Sequence, residues 1–317
     1  MYAHIIGDAG KTLYIYMPNE LHFGIDFLED TSAMRNLIIN CKNDTIKFTA
    51  YNGNIKYDNI CKSYLMSIWQ YCCRCTNKKK QLMYDRRLNN VFGGKVNVNS
   101  GKDFQPITVE SALNTDKSTY YIFLPDHDIN KPIDSITDLI ISKNLTINRK
   151  DIKEFLNTTL GEIFSNCFNH SDTNKAYYMN DIITENGKFY ICVSIFDYGK
   201  TIINNVKEYY IRKYGKDISG KECMEWAIKE GNTTRKGSGG YGLPTILDYI
   251  NEADGVLYII SGDICLKCND KSINIEKSIG SFPGTNVVFK LKLFDTSRMM
   301  RYSSKSKKIE SINLLDI

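Results

Sequence analysis

Apolar and polar residues alternate from Thr12 to Met17 (TLYIYM), which predicts a strand ended by Pro18. From Thr31 to Cys41 the period lengthens. Met34, Leu37, Ile38 and Cys41 share one face, which predicts a helix capped by Thr31 or Ser32. Thr45 to Tyr51 (TIKFTAY) predicts a second strand, stopped at Asn52 and Gly53. Ile60 to Cys75 predicts a second apolar helix. Asn77 to Lys117 is polar and weakly patterned, and Tyr120 to Leu124 (YYIFL) predicts another strand before Pro125. This first half reads as a small α/β unit with no motif tied to chemistry.

The texture changes after Pro132. Ile147 to His170 predicts one long helix, with Asn148 as cap and Asp151 in its first turn. Lys188 to Phe196 (KFYICVSIF) is almost continuously apolar, as a strand covered on both faces should be, and Asp197 ends it. Ser219 to Lys229 predicts a helix, Gly237 to Gly242 is glycine-rich, and Leu243 to Asn251 predicts another helix. Gly255 to Ser261, Ile264 to Asn269 and Asn286 to Leu293 predict antiparallel strands, with turns at Gly262-Asp263 and Asn269-Asp270. The expected division is residues 1–135 as an N-terminal α/β domain, 136–295 as a second domain and 296–317 as a basic tail.

Composition bounds the class without naming a function. The 317 residues are 42% hydrophobic and 24% charged, which fits a soluble globular protein, and the length favours two domains. No apolar run reaches the roughly 18 residues of a membrane span. Met1 to Gly10 has no basic flank leading into an apolar stretch, so no secretory signal is expected and a cytoplasmic setting follows. The net charge of +5 is mild. Part of it sits at Lys78, Lys79, Lys80, Arg86 and Arg87, and part in the tail at Arg298, Arg301, Lys305, Lys307 and Lys308. These clusters read first as solvated surface and leave nucleic acid open as a partner.

Ten cysteines include two C-x-x-C pairs, Cys72 with Cys75 and Cys265 with Cys268. Zinc wants two such pairs brought together. These lie far apart, and Cys265 and Cys268 fall on opposite faces of a predicted strand. Buried small hydrophobes are the favoured reading.

Four short pieces carry candidate chemistry. Glu162 and Asn166 are one helical turn apart, and Asn169 and His170 extend their face. Asp197-Tyr198-Gly199 follows the apolar strand. A carboxylate there can accept from an exocyclic amine, and glycine allows close approach. Lys236 to Leu243 (KGSGGYGL) runs into a helix, so its backbone amides suit a polyphosphate, although it is not a Walker sequence. Gly284-Thr285 leads into the last strand.

In this order the pieces resemble the GHKL superfamily of histidine-kinase-like ATPases (the Bergerat fold) over roughly residues 147–293. Glu162 to Ser171 (EIFSNCFNHS) is similar to the N box, closest to the form in anti-sigma-factor serine kinases. Asp197-Tyr198-Gly199 resembles the G1 box, with Thr201 where a second glycine ordinarily stands. Gly240 to Leu243 (GYGL) resembles the G2 box, and Gly284-Thr285 the late Gly-Thr element. The first 135 residues resemble a STAS-like α/β module.

The resemblance implies a two-layer α/β sandwich with a mixed, mostly antiparallel sheet, binding ATP with magnesium. Glu162 would be the general base, and Asn166 would hold the magnesium. Asp197 would accept from the adenine amino group, supported by Thr285, and Gly199 would make room for the base. Asn169, His170, Gly239, Gly240, Tyr241, Gly242 and Leu243 would line the nucleotide, with Arg235 and Lys236 near the γ-phosphate. Residues 200–239 would form a lid. Three activities stay open: an ATP-hydrolysing switch in a regulatory complex, a serine/threonine protein kinase, and a nucleotide-sensing adaptor. A regulatory protein partner is expected on the N-terminal half, a homodimer stays open, and deletion of residues 1–130 is expected to spare ATP binding.

Overall fold

The computed structural model describes residues 4–9, 11–50, 55–75, 81–88, 91, 119–123, 129–142, 149–185, 188–234, 240–252 and 255–292. Within them the chain is a mixed α/β protein. β1 (His4–Ala9), β2 (Thr12–Met17), β4 (Thr45–Ala50) and β6 (Gln81–Tyr84) form a four-stranded sheet in that order. β1 runs antiparallel to β2, whereas β2, β4 and β6 are parallel neighbours. Parallel strands need crossovers, and α1 (Ile25–Asn40) and α2 (Asn59–Cys75) lie in them. β3 (Glu20–Leu21) and β5 (Lys56–Tyr57) make a short parallel pair.

β2 follows its predicted alternation, with Leu13, Ile15 and Met17 buried. α2 starts where Asp58 accepts from the Cys61 N–H at 2.7 Å. α1 differs from the prediction, because it begins at Ile25 and not at Thr31. Thr31 and Ser32 are buried inside it. Thr31 bonds back to the Phe27 carbonyl at 2.7 Å, and the Ser32 hydroxyl accepts from Ser281 N at 3.1 Å. Short polar side chains that look like caps are here satisfied by their own helix and by a neighbouring strand.

The second sheet contains β7 (Thr119–Phe123), β8 (Ala176–Glu185), β9 (Lys188–Asp197), β10 (Val256–Asn269) and β11 (Ser272–Lys292), in the order β10-β11-β9-β8-β7. Every pair is antiparallel. The strand read as part of the first half, β7, is therefore the edge of this sheet. α3 (Asn130–Ser142) lays Ile133, Ile136 and Ile140 into the same core as Leu156 and Leu160 of α4 (Arg149–His170). A boundary at residue 135 would cut through this unit.

The turn at Asp270 forms as predicted, with Asp270 and Lys271 both at positive φ (48° and 61°). Gly262-Asp263 is no turn. The strand continues through a register shift there, with Gly262 at φ 62°, so β10 and β11 are each longer than the predicted pieces.

Strand alternation divides the interior in two. On one face Ile191, Val193, Ile195, Val287 and Phe289 pack beneath α4, α5 (Ile202–Tyr214), α6 (Gly220–Ala227) and α7 (Gly242–Glu252). On the other, Cys192, Phe196, Tyr258, Phe282 and Val288 share one cluster with α1, α2 and the four-stranded sheet. Cys265 and Cys268 fall one on each side, as the alternation predicts. Tyr64 to Gln70 are buried without interruption, so this part of α2 has no solvent face. It is core for both sheets.

The described part of the stretch expected to be a lid, residues 200–234, contains two helices. Ile203 and Val206 of α5 and Cys223 and Met224 of α6 are buried in the core. No helix among the described residues is long and apolar enough to cross a membrane.

Candidate functional site

A cavity of about 240 Å³ opens where α4, the end of β9, the middle of β11 and the start of α7 converge. Glu162, Asn166 and His170, spaced by four on α4, present one face to it, as the helical period requires. Asp197 and Thr285 reach it from the sheet, facing one another across the β9–β11 pairing. Gly240, Tyr241, Gly242 and Leu243 form the wall at the start of α7.

Other expected residues lie elsewhere. Asn169 is not in the wall, and its amide donates to Ser165 Oγ at 2.8 Å in an exposed position. Gly199 does not line the cavity either. A Cβ there would sit 2.0 Å from the Ser171 carbonyl oxygen, so the missing side chain makes room for protein, not for a ring. Lys200 N donates to that same carbonyl at 2.6 Å, which pins the end of β9 to the end of α4. Arg235, Lys236 and Gly239 lie outside the described residues.

Asp197 is 2% exposed. Burial pushes its carboxyl up to about 6. The Gly199 N–H, donating at 2.8 Å, pulls the other way, as do the Cys167 thiol, the Ser171 hydroxyl and the Thr285 N–H, without cancelling burial. The Ser171 hydroxyl has one proton to share between Asp197 and the Cys167 carbonyl. Thr285 Oγ1 lies 2.8 Å from Ser261 Oγ, which accepts from Ile202 N at 2.8 Å. The sheet thus holds Asp197, Thr285 and the start of α5 in one hydrogen-bonded frame.

Glu162 stands at the opposite end. A Cβ on Gly242 would lie 2.3 Å from its Oε2, so the carboxylate approaches the first residue of α7. A helix N-terminus favours negative charge there.

Sequence reasoning missed much of the remaining wall. Ile202, Asn205 and Val206 come from α5 and Trp226 from α6, while Asn232, Thr233 and Thr234 follow in the loop. That loop is fastened by several bonds. Gly231 N donates to the Gly240 carbonyl at 3.1 Å, Asn232 Nδ2 to the Trp226 carbonyl at 2.8 Å, and Thr234 Oγ1 lies 3.3 Å from His170 Nδ1. No motif announces these residues. The available signal was the 3.6 period of Ile202, Ile203 and Val206, which marks an amphipathic helix.

The arrangement joins a deep apolar slot (Ile195, Val206, Val287) with a buried carboxylate at one end. At the other it offers an exposed helix start, a carboxylate and an amide. Such a site suits a flat polar-edged ring and a charged tail. Among the described residues no group of three or more His, Cys, Asp or Glu side chains could hold a metal. No family model matches the chain, and no curated protein matches it.

Proposed function

We propose that the cavity binds ATP with magnesium and that the protein is a GHKL-type ATPase whose nucleotide cycle serves as a regulatory switch. The observation that carries this reading is that Asp197, at the end of a strand, and Asn166, on a helix, open onto one cavity. The antiparallel five-stranded sheet and the late Thr285 beside Asp197 support the sandwich with a mixed, mostly antiparallel sheet that the sequence resemblance implies.

The chain's own groups define the chemistry. Ionised Asp197 accepts from an exocyclic amine, and Thr285 fixes that carboxylate's strand. The Gly240–Gly242 backbone and the α7 N-terminus receive phosphate oxygens. Asn166 would offer its amide oxygen to magnesium, a hard cation that needs few protein ligands beside phosphate oxygens and water. That fits a wall that carries the Asn166 amide and, among the described residues, no cluster of His, Cys, Asp and Glu. The ion neutralises charge on the transferred phosphoryl group when bound. Glu162 orients and deprotonates the attacking water. Buried cysteines kept as thiols at Cys61, Cys72, Cys167, Cys192 and Cys265 fit a reducing compartment such as the cytoplasm.

Glu162 gives a test that separates binding from turnover. Its carboxylate lies where the phosphates would arrive, so Glu162→Gln removes repulsion and the base together. Calorimetry with a non-hydrolysable ATP analogue and magnesium should show affinity kept or tightened. Phosphate release from ATP should fall about 100-fold or more. Absence of analogue binding to the unaltered protein defeats the reading. Unchanged phosphate release defeats the role of Glu162, and radiolabel appearing on a protein would redirect it to a kinase.

A further inference from the structure

The back of the sheet carries a second set of contacts behind the cavity. Asp197 and Thr285 face the cavity. Their chain neighbours Tyr198 and Asn286 contact α2 instead, and both end on the same residue. The Tyr198 hydroxyl donates to the Ser67 carbonyl at 2.6 Å, and Asn286 Nδ2 donates to the Ser67 hydroxyl at 3.3 Å. Asn286 is held in turn by the Ser194 hydroxyl, donating to its Oδ1 at 3.0 Å. Ser67, Ser194 and Asn286 are fully buried.

Tyr198 is half-buried and held by several neighbours. Its ring packs against Tyr71 (5.2 Å), Tyr177 (5.1 Å), Phe196 (5.7 Å) and Phe282 (6.0 Å), and the Arg74 guanidinium sits over it at 5.1 Å. Gly284 brings the strands together at this point, where a Cβ would lie 2.1 Å from the Asp197 carbonyl oxygen. A residue wedged this firmly between Asp197 and Gly199 leaves the backbone on either side little freedom. A buried polar knot with every member satisfied fixes a unique arrangement and is costly to leave half-made.

We propose that α2 is a structural part of the cavity, with Ser67 acting through Tyr198 and Asn286 as positioning residues that hold Asp197 and Thr285 in their ligand-accepting orientation. The inference rests on the nucleotide reading for its ligand but not for its geometry. It reverses the expectation that residues 1–130 can be removed without affecting the cavity. It also gives the N-terminal half a direct route to the site: a partner that shifts α2 shifts Asp197.

The test is a double-mutant cycle in the full chain, read by calorimetry with a non-hydrolysable ATP analogue and magnesium. Tyr198→Phe keeps the ring and removes the hydroxyl. It should weaken binding about fivefold, the scale of one hydrogen bond. On an Asp197→Asn background the same change should cost less than about twofold, because its effect passes through Asp197. Equal affinity, or losses that simply add, would overturn the proposal. Ser67→Ala leaves the sheet untouched and removes the acceptor for Asn286, so it should weaken binding in the same direction even if Tyr198→Phe folds poorly.

Should the unaltered protein bind no analogue, the functional reading fails alone. The positioning claim is then decided by carboxyl NMR of Asp197, which faces Cys167 and Ser171 of the α4 end and Thr285 of β11. Tyr198→Phe should lower its titration midpoint, as a loosened carboxyl gains water. An unmoved midpoint refutes the claim.

Discussion

A carboxyl sealed from water is easier to protonate than one in an unfolded chain, and Asp197 carries that cost. Its folded value of about 6 stands above the ordinary aspartate value of 3.8. The folded protein therefore binds more protons than the unfolded chain between those values, and stability falls as pH rises through them. The contribution is present below about pH 4 and lost above about 6, a difference of about 3 kcal/mol. Asp197→Asn keeps the shape and removes the charge. The variant should melt higher than the unaltered protein at pH 8, and its melting temperature should lack the fall between pH 4 and 6. Nucleotide binding should move oppositely, weakened in the variant because the amide ends the ionised acceptor. Thermal melts across pH and calorimetry at pH 8 check both halves, and a parallel pH dependence in the two proteins would show that Asp197 is not the group. The acid was legible in the sequence because a lone aspartate terminates an apolar strand. Its neighbour Gly199 was misread, since nothing in a sequence says that Ser171 arrives from α4 to use the space.

Elements were legible where one residue pattern decided them and lost where two requirements overlapped. β9 has a long apolar run and appeared whole. β8 (AYYMNDIITE) mixes tyrosine, asparagine and aspartate, because its Tyr177 and Tyr178 serve opposite cores while Asp181 to Ile183 are only half-buried. α5 was hidden by the expectation that residues 200–239 form a lid, and its start by Thr201, which stands where the G1 resemblance ordinarily has glycine. Thr201 stands there for a local reason. It is the N-cap of α5, at φ −72° and ψ 157°, and its side chain accepts from Asn204 N. A threonine adopts that extended conformation without strain, and glycine would lose the cap. Thr201→Ala should destabilise the protein by about 1 kcal/mol, and Thr201→Ser by much less. Urea unfolding measures both, and equal losses in the two variants would mean that the side-chain cap is not what holds the start of α5.

At the scale of the whole molecule the sequence misleads, because a change of texture near residue 132 looks like a domain boundary. The boundary seen by packing is a surface, and α2 occupies both sides of it. Tyr177, Phe196, Tyr258 and Phe282 of the five-stranded sheet share one cluster with Tyr64, Met66 and Trp69 of α2. Burying such a side chain stabilises by roughly 2 kcal/mol. A handful of them therefore equals the entire margin of a typical domain, about 5–15 kcal/mol. Neither half can lose the other and keep its core dry, so the two should unfold together. Calorimetry of the full chain should give a single transition whose van't Hoff and calorimetric enthalpies agree. Tyr64→Ala, which opens a cavity in α2 where Phe27 and Phe282 pack, should lower that one transition without splitting it. The ATP analogue with magnesium should raise the same transition, because a ligand of the folded state stabilises everything that unfolds with its site. Two resolved transitions, of which only one responds to the analogue, would mean that the halves fold independently, and that the contact between α2 and the back of the sheet is too weak to carry information to the cavity.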